Sequence, residues 1–456
     1  MSIRIAVLWP IAAALVLCSC ASSRTLPLAA PNSAALDARA SASTAGEIEA
    51  KLAMYLAKRR TTDHASAVLA SVILTNGRTI DAATGMTQYG GTTPASPKNL
   101  FQIGSNTKSF TAVAILQLEA QGKLSVDQTL GMWLPQYPAW KHITIRHLLD
   151  MTSGLEDYLG TNAWQKAYTA NPYGYLSPEQ LIALVDPNVP LDHGWHYTNT
   201  GYLLLELIIE KASARTYAGV VAGDIIPRAH LNATYFRGNL YPAKLLDRMV
   251  DGYYDLPPNP PIWKPFLGKS VRDYSLSYAA AAGGIVASPH DLAAWVHDLY
   301  RGHILNRAQR GELQSLVSTT TGKPIARVTA KDPVGFGFGV EAIYGGSIGT
   351  IWAYEGETLG YRTLYLYFPT GDITIAVAVN SAVRASRDTT ADLAFQVYEI
   401  LREHGSSSVA ESATVSKRIG DALKTSGGYL AGATFTQRSS QSTISASTVA
   451  MDSRPR

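Results

Sequence analysis

The chain has 456 residues, 46% of them hydrophobic and 16% charged, with a formal net charge of +4. That is a globular composition, and without a basic stripe carrying interleaved aromatics it argues against a nucleic-acid partner. Both cysteines, Cys18 and Cys20, lie near the amino terminus, which excludes a disulfide framework and a thiolate zinc site; no His-Glu-x-x-His pair occurs, so neither metal nor cofactor is expected.

In chain order, Arg4 and the apolar run Ile5 to Leu17 read as an export signal, too short to span a bilayer comfortably. The run ends in Leu17-Cys18-Ser19-Cys20, which resembles the lipobox of bacterial lipoproteins and implies lipid attachment at Cys20; the alternative is cleavage near Ala21 with Cys20 lost or free. The expected location is the periplasmic side, membrane-anchored in the first case and soluble or secreted in the second. Residues 1–20 are then the signal and 21–45, rich in Ala, Ser and Pro, a flexible tether. The folded body occupies 46–404, and 405–456, poor in large apolar residues, forms a disordered tail.

Within the body, the pattern predicts a helix over Glu47 to Arg59 and an apolar strand around Val68 to Thr75. Asn76-Gly77 predicts a two-residue hairpin turn, since both positions tolerate positive φ, with Arg78 to Ala82 returning. At the other end, Tyr361 to Phe368 alternates, Pro369-Thr370-Gly371 turns, and Ile373 to Asn380 runs back as an apolar strand; a helix from about Asp388 to Glu403 closes the body. The stretch between, Asn106 to Val296, is mostly helical. The expected fold is α/β (α+β): one antiparallel β-sheet flanked by helices and built from both ends of the body, with an inserted all-helical subdomain and a cleft at the junction.

Ser105-Asn106-Thr107-Lys108 is the sharpest chemical feature, and the chain holds no other Ser-x-x-Lys. It opens an apolar helix (Phe110, Val113, Ile115, Leu116, Leu118) that ends at Gly122. Positions three apart share a helix face, which sets the Lys108 amine beside the Ser105 hydroxyl. Burial lowers a lysine pKa, so the amine could serve as base near neutral pH. The bland alternative is a helix-capping serine with an exposed lysine one turn on.

A second feature, Tyr197-Thr198-Asn199, is the chain's sole Tyr-x-Asn. With Gln102-Ile103-Gly104 before the serine, Leu148 to Leu155, and Ala282-Gly283-Gly284-Ile285-Val286-Ala287-Ser288, it follows an ordered pattern from residue 102 to residue 288. Here the sequence resembles the serine β-lactamase-related superfamily: class C β-lactamases, D-Ala-D-Ala carboxypeptidases and related esterases. The resemblance implies a β-lactamase/transpeptidase-like fold and an acyl-enzyme on Ser105. It implies Lys108 as base or base partner, Tyr197 as proton relay to the leaving group and later to the deacylating water, and Asn199 holding both substrate and Lys108.

The family's third motif, Lys-Thr-Gly or His-x-Gly in many members, has its counterpart in Tyr354-Glu355-Gly356, followed by Glu357 and Thr358. Gly356 allows close backbone approach, and the Glu357 N–H would join that of Ser105 as oxyanion hole. Tyr354 departs from the usual cation or imidazole, and with Glu355 and Glu357 adjacent it should hold an anionic substrate group less well. That lowers β-lactam hydrolysis and raises D-alanyl peptides or small esters and amides as expected substrates, with a catalytically silent cell-wall-peptide-binding relative as alternative. The aromatics Trp195, Tyr202, Trp263 and Tyr274 are as readily core as cleft lining. Gly345-Gly346-Ser347-Ile348-Gly349 matches the nucleophile elbow of α/β-hydrolases, but strand-like residues follow it where an elbow needs a helix, so a hairpin turn is expected there.

Overall fold

The computed structural model describes residues 33–403, 415 and 417–422. The export signal with Cys20, the first part of the expected tether and most of the tail lie outside the described residues. Among those described, no helix is long and apolar enough to cross a membrane.

The main sheet comprises β1 (Ala67–Ile73), β2 (Thr79–Gly85), β3 (Leu316–Ser318), β4 (Pro324–Ile325), β5 (Val334–Phe336), β6 (Glu341–Tyr344), β7 (Thr350–Glu357), β8 (Arg362–Phe368) and β9 (Ile373–Val379). Its order is β2-β1-β9-β8-β7-β6-β5-β3-β4, every neighbour antiparallel. The two ends of the body meet where β1 pairs with β9, Val68 opposite Val379 through Ile73 opposite Thr374, as the sequence led us to expect. The longer helices are α1 (Ser33–Arg59), α2 (Thr107–Ala120), α3 (Thr200–Ser213), α4 (Pro289–Arg301) and α5 (Thr390–Glu403).

Strand alternation gives the sheet two buried faces. On the rear face Val68, Ala70, Val72, Leu364, Leu366, Ile375 and Val377 pack against Ile48, Leu52 and Leu56 of α1 and Leu393, Phe395 and Val397 of α5. On the front face Leu69, Tyr365, Ala376 and Ala378 join a larger core shared with α2, α3 and α4. The helical insertion therefore rises from the front face, and the motifs converge where it meets the sheet.

Several elements depart from expectation. Helix α1 begins at Ser33, ahead of the expected Glu47, so much of the supposed tether is helical. Both prolines of that stretch, Pro27 and Pro31, precede Ser33, and the alanine left behind is the best helix former. The β1–β2 turn spans three residues rather than two: Leu74 N–H donates to Arg78 O at 2.9 Å, and Gly77 takes φ +76°. Part of the tail is ordered, since residues 417–422 are helical and Val415, Ile419 and Ala422 are buried in the rear core. Their spacing of four and three is one helix face. Strands β3 to β6 were not anticipated; at two to four residues each they carry too little alternation to read. The Gly345–Gly349 run is the β6–β7 turn, with Ser347 exposed and strand rather than helix after it.

Candidate active site

The strand pair Phe101–Gln102 with Val286–Ala287 delivers the chain into a tight turn, Gly104–Asn106, from which α2 departs. Gly104 adopts φ +51°, and a Cβ there would stand 2.5 Å from the Glu357 nitrogen. A Cβ on Gly356 would meet Ile103 O at 1.9 Å. Glycine at both positions is what lets the serine turn and the end of β7 touch.

Pairing along β7 fixes where its N–H groups point. Thr358 N–H donates to Tyr361 O at 3.0 Å, and antiparallel pairs alternate between bonded and non-bonded. Glu357, opposite Arg362, is thus a non-bonded position whose N–H turns away from β8. On that edge β6 stops with Glu341 opposite Ala353, so beyond Ala353 the strand is open toward the serine turn. The Glu357 N–H therefore faces the serine turn, the side on which the resemblance implies an oxyanion donor.

Lys108 is fully buried, and its Nζ lies within hydrogen-bond reach of Ser105 Oγ at 3.1 Å, Asn199 Oδ1 at 2.8 Å and Ala282 O at 2.9 Å. Two of these are acceptor-only carbonyl oxygens, which engage two N–H groups. In a neutral amine the third direction is the lone pair, and it falls on the Ser105 hydroxyl. Burial pushes the Lys108 pKa well below its usual 10.5, opposed by the nearby Asp157, so the neutral amine is accessible.

Tyr197 OH lies 2.6 Å from Ser105 Oγ. Burial pushes this phenol up, which keeps its proton in place to be donated. A charged Lys108 donates to Ser105, Asn199 and Ala282 alike; with the amine neutral, the same contacts are met when Tyr197 donates to Ser105, Ser105 to Lys108, and Lys108 to Asn199 and Ala282. The four residues predicted to carry catalysis are therefore brought together.

Asp157 was missed. Its Oδ2 accepts from Asn199 Nδ2 at 2.8 Å, and Leu159 N–H donates to its Oδ1 at 3.2 Å. Burial raises its pKa to about 6, against those bonds and the charge of Lys108. Asp157 thus orients the Asn199 amide so that the oxygen faces Lys108. The available signal was its place two residues after the Leu148–Leu155 motif, whose Met151 O accepts His196 N–H at 2.9 Å beside Tyr197.

Side chains of the third motif divide between the faces. Tyr354 is buried on the front, its ring 5.7 Å from Phe336, and burial together with the adjacent Tyr197 raises its pKa well above 10.0. Thr358 is also buried, its Oγ1 without a hydrogen-bond partner among the described residues. Glu355 and Glu357 instead share the rear face with Asp388, their carboxylate oxygens within 4.8 Å of one another. The expectation that these two acids would repel an anionic substrate group therefore needs correcting, because their side chains point through the sheet. Arg362, also on the rear, donates to Ser381 O and Asp388 at 2.8 Å each and has no access to the cleft. Of the four aromatics, Tyr202 is buried with its ring 5.3 Å from Lys108 Nζ, Trp195 lies 6.5 Å from Tyr197 ring to ring, and Trp263 is core.

A mixed fold with an antiparallel sheet, a serine at a helix start, a buried lysine one turn on and a Tyr-x-Asn loop define the class as the serine β-lactamase-related superfamily. The beta-lactamase family profile matches residues 52–399, and the chain belongs to that family. It is 30% identical over 281 residues to penicillin-binding protein 4* of Bacillus subtilis, a match covering 60% of this chain and 59% of that protein. The chain thus spans about three fifths of that relative's length. Among solved structures, a D-stereospecific amidohydrolase from Streptomyces shares the fold with TM-score 0.62 at 23% identity, over 80% of this chain and 99% of that one. The D-amino acid amidase from Ochrobactrum anthropi does so with TM-score 0.65 at 21% identity, over 80% and 100%.

Proposed function

We propose that the protein is a serine hydrolase working through an acyl-enzyme on Ser105, acting on D-alanyl peptides or small esters and amides. The observation that carries this is Lys108, with two carbonyl oxygens fixing its N–H groups and Ser105 Oγ at 3.1 Å in the remaining direction. Ser105 Oγ bonds to the substrate carbonyl carbon and passes its proton to Lys108 Nζ. The N–H groups of Ser105 and Glu357 hold the resulting oxyanion. As the carbon–leaving-group bond breaks, the departing amine or alcohol takes the Tyr197 proton, which Lys108 restores. Water then hydrolyses the ester by the same route in reverse.

Esters and amides rather than β-lactams are supported by Tyr354 standing where a cation is usual, with Arg362 withdrawn to the rear. The names of the fold relatives, a D-stereospecific amidohydrolase and a D-amino acid amidase, agree with D-configured amides. To test the reading, a fluorophosphonate, a nitrophenyl ester and a fluorescent penicillin are each incubated with the wild type and Ser105→Ala, and adducts are located by mass. Labelling of Ser105 by the first two, with the penicillin slower, is expected. Absence of any adduct on the wild type would favour a silent peptide-binding relative.

A further inference from the structure

Helix α3 buries Leu203, Leu204, Leu205, Leu207, Ile208 and Ile209, and in their midst it buries a carboxyl group, Glu206, at 8% exposure. An acid there is costly unless it satisfies a polar group that would otherwise be stranded. Its Oε2 accepts the Ala281 N–H at 2.9 Å. Ala281 lies in the short helical turn Ala280–Gly283, entered through Ala280 at φ +39°, a backbone conformation that side chains disfavour and that must be held by its surroundings. The first N–H groups of such a turn have no partner within it.

The same turn presents the Ala282 carbonyl to Lys108 Nζ at 2.9 Å. From α2, Thr111 Oγ1 donates to Ala281 O at 2.7 Å and meets Tyr217 OH at 2.7 Å. One side of the turn is therefore gripped by the helix bearing Lys108, and the other by Glu206.

We propose that Glu206 is a positioning residue for the base: by holding the Ala281 N–H it fixes the Ala282 carbonyl that aims Lys108 at Ser105. This rests on the reading of Lys108 as the base. The titratable groups that act on Glu206 are Glu210 of its own helix and Glu179 of the helix Pro178–Ile182; the phenols of Tyr175 and Tyr217 stand within its electrostatic reach. Burial first, then those two carboxylates, push its pKa to about 8 against the Ala281 bond. Near neutrality it is a protonated acid that accepts through its carbonyl oxygen, and glutamine can reproduce that contact.

The test compares Glu206→Leu with Glu206→Gln in two readouts: the acylation rate with an ester probe across pH, and the NMR titration of the Lys108 side chain. In the leucine variant the plateau rate should fall ~10-fold or more, because the base is no longer fixed in its attack geometry. Lys108 should also titrate at lower pH, since a carbonyl acceptor that favours the charged amine is no longer held in place. The glutamine variant should stay within about threefold of wild type, with an unchanged Lys108 midpoint. A leucine variant with wild-type rate and midpoint, whatever its melting temperature, would overturn the proposal, as would a glutamine variant that loses most activity while folded. Failure of the wild type to acylate would sink the proposed function instead, and the Lys108 titrations would still decide the role of Glu206.

Discussion

Among the described residues two cations are fully buried, Lys108 in front of the sheet and Arg362 behind it, and their surroundings differ in kind. Lys108 has uncharged acceptors, Asn199 Oδ1 and Ala282 O, and its one nearby carboxylate, Asp157, contacts Asn199 rather than the amine itself. Burial consequently wins, and its pKa falls. Arg362 has Asp388 at 2.8 Å and Asp63 at 3.8 Å. Burial works against that charge too, but the carboxylates more than offset it and its pKa rises. A buried cation becomes a base when its partners are dipoles and a structural tie when they are charges. Putting the carboxylate one residue removed, behind an amide, separates the two outcomes.

The comparison breaks most sharply at Lys108→Arg. A guanidinium cannot surrender its proton, so acylation of Ser105 should fall roughly 10²–10⁴-fold, read as the rate of adduct formation by mass. The converse change, Arg362→Met, leaves Asp388 buried without its cation, while Asp63 keeps Arg387 at 2.6 Å, and unfolding in urea should show a loss of about 3–5 kcal/mol. Acylation per folded molecule should stay close to wild type in that variant. A smaller effect comes from Asp157→Asn. Removing the carboxylate that favours charged Lys108 should lower the lysine pKa further and carry the acid limb of the acylation profile to lower pH. In the wild type Asp157 itself takes up a proton near pH 6; the asparagine variant should lack the inflection that this causes. A limb that moves to higher pH would contradict the assigned direction.

What could be read from the sequence was whatever is carried by side chains in short spacings. Ser105 and Lys108 are one helical turn apart, Tyr197 and Asn199 are two residues apart, and Gly356 marks a close approach, so each announces itself locally. Asp157 meets Asn199 across 42 positions and, following exposed Glu156, looks like any loop acid. Ala282 acts through its carbonyl, which every residue possesses, and nothing in its identity marks it. Which face of β7 carries Glu355 and Glu357 follows from alternation, yet which face looks at the serine needed the structure. Val415, Ile419 and Ala422 illustrate the limit of composition: a Ser/Thr-rich tail still holds three apolar residues at helical spacing, enough to dock against an existing core.

The direct test of the central claim is the titration of Lys108 itself, followed by side-chain NMR in the full chain with Lys108→Arg to assign the signal. The account predicts a midpoint well below 10.5, separate from the surface lysines and at lower pH still in Asp157→Asn. A Lys108 that titrates together with the exposed lysines would mean that the amine is charged at neutral pH and is not the base.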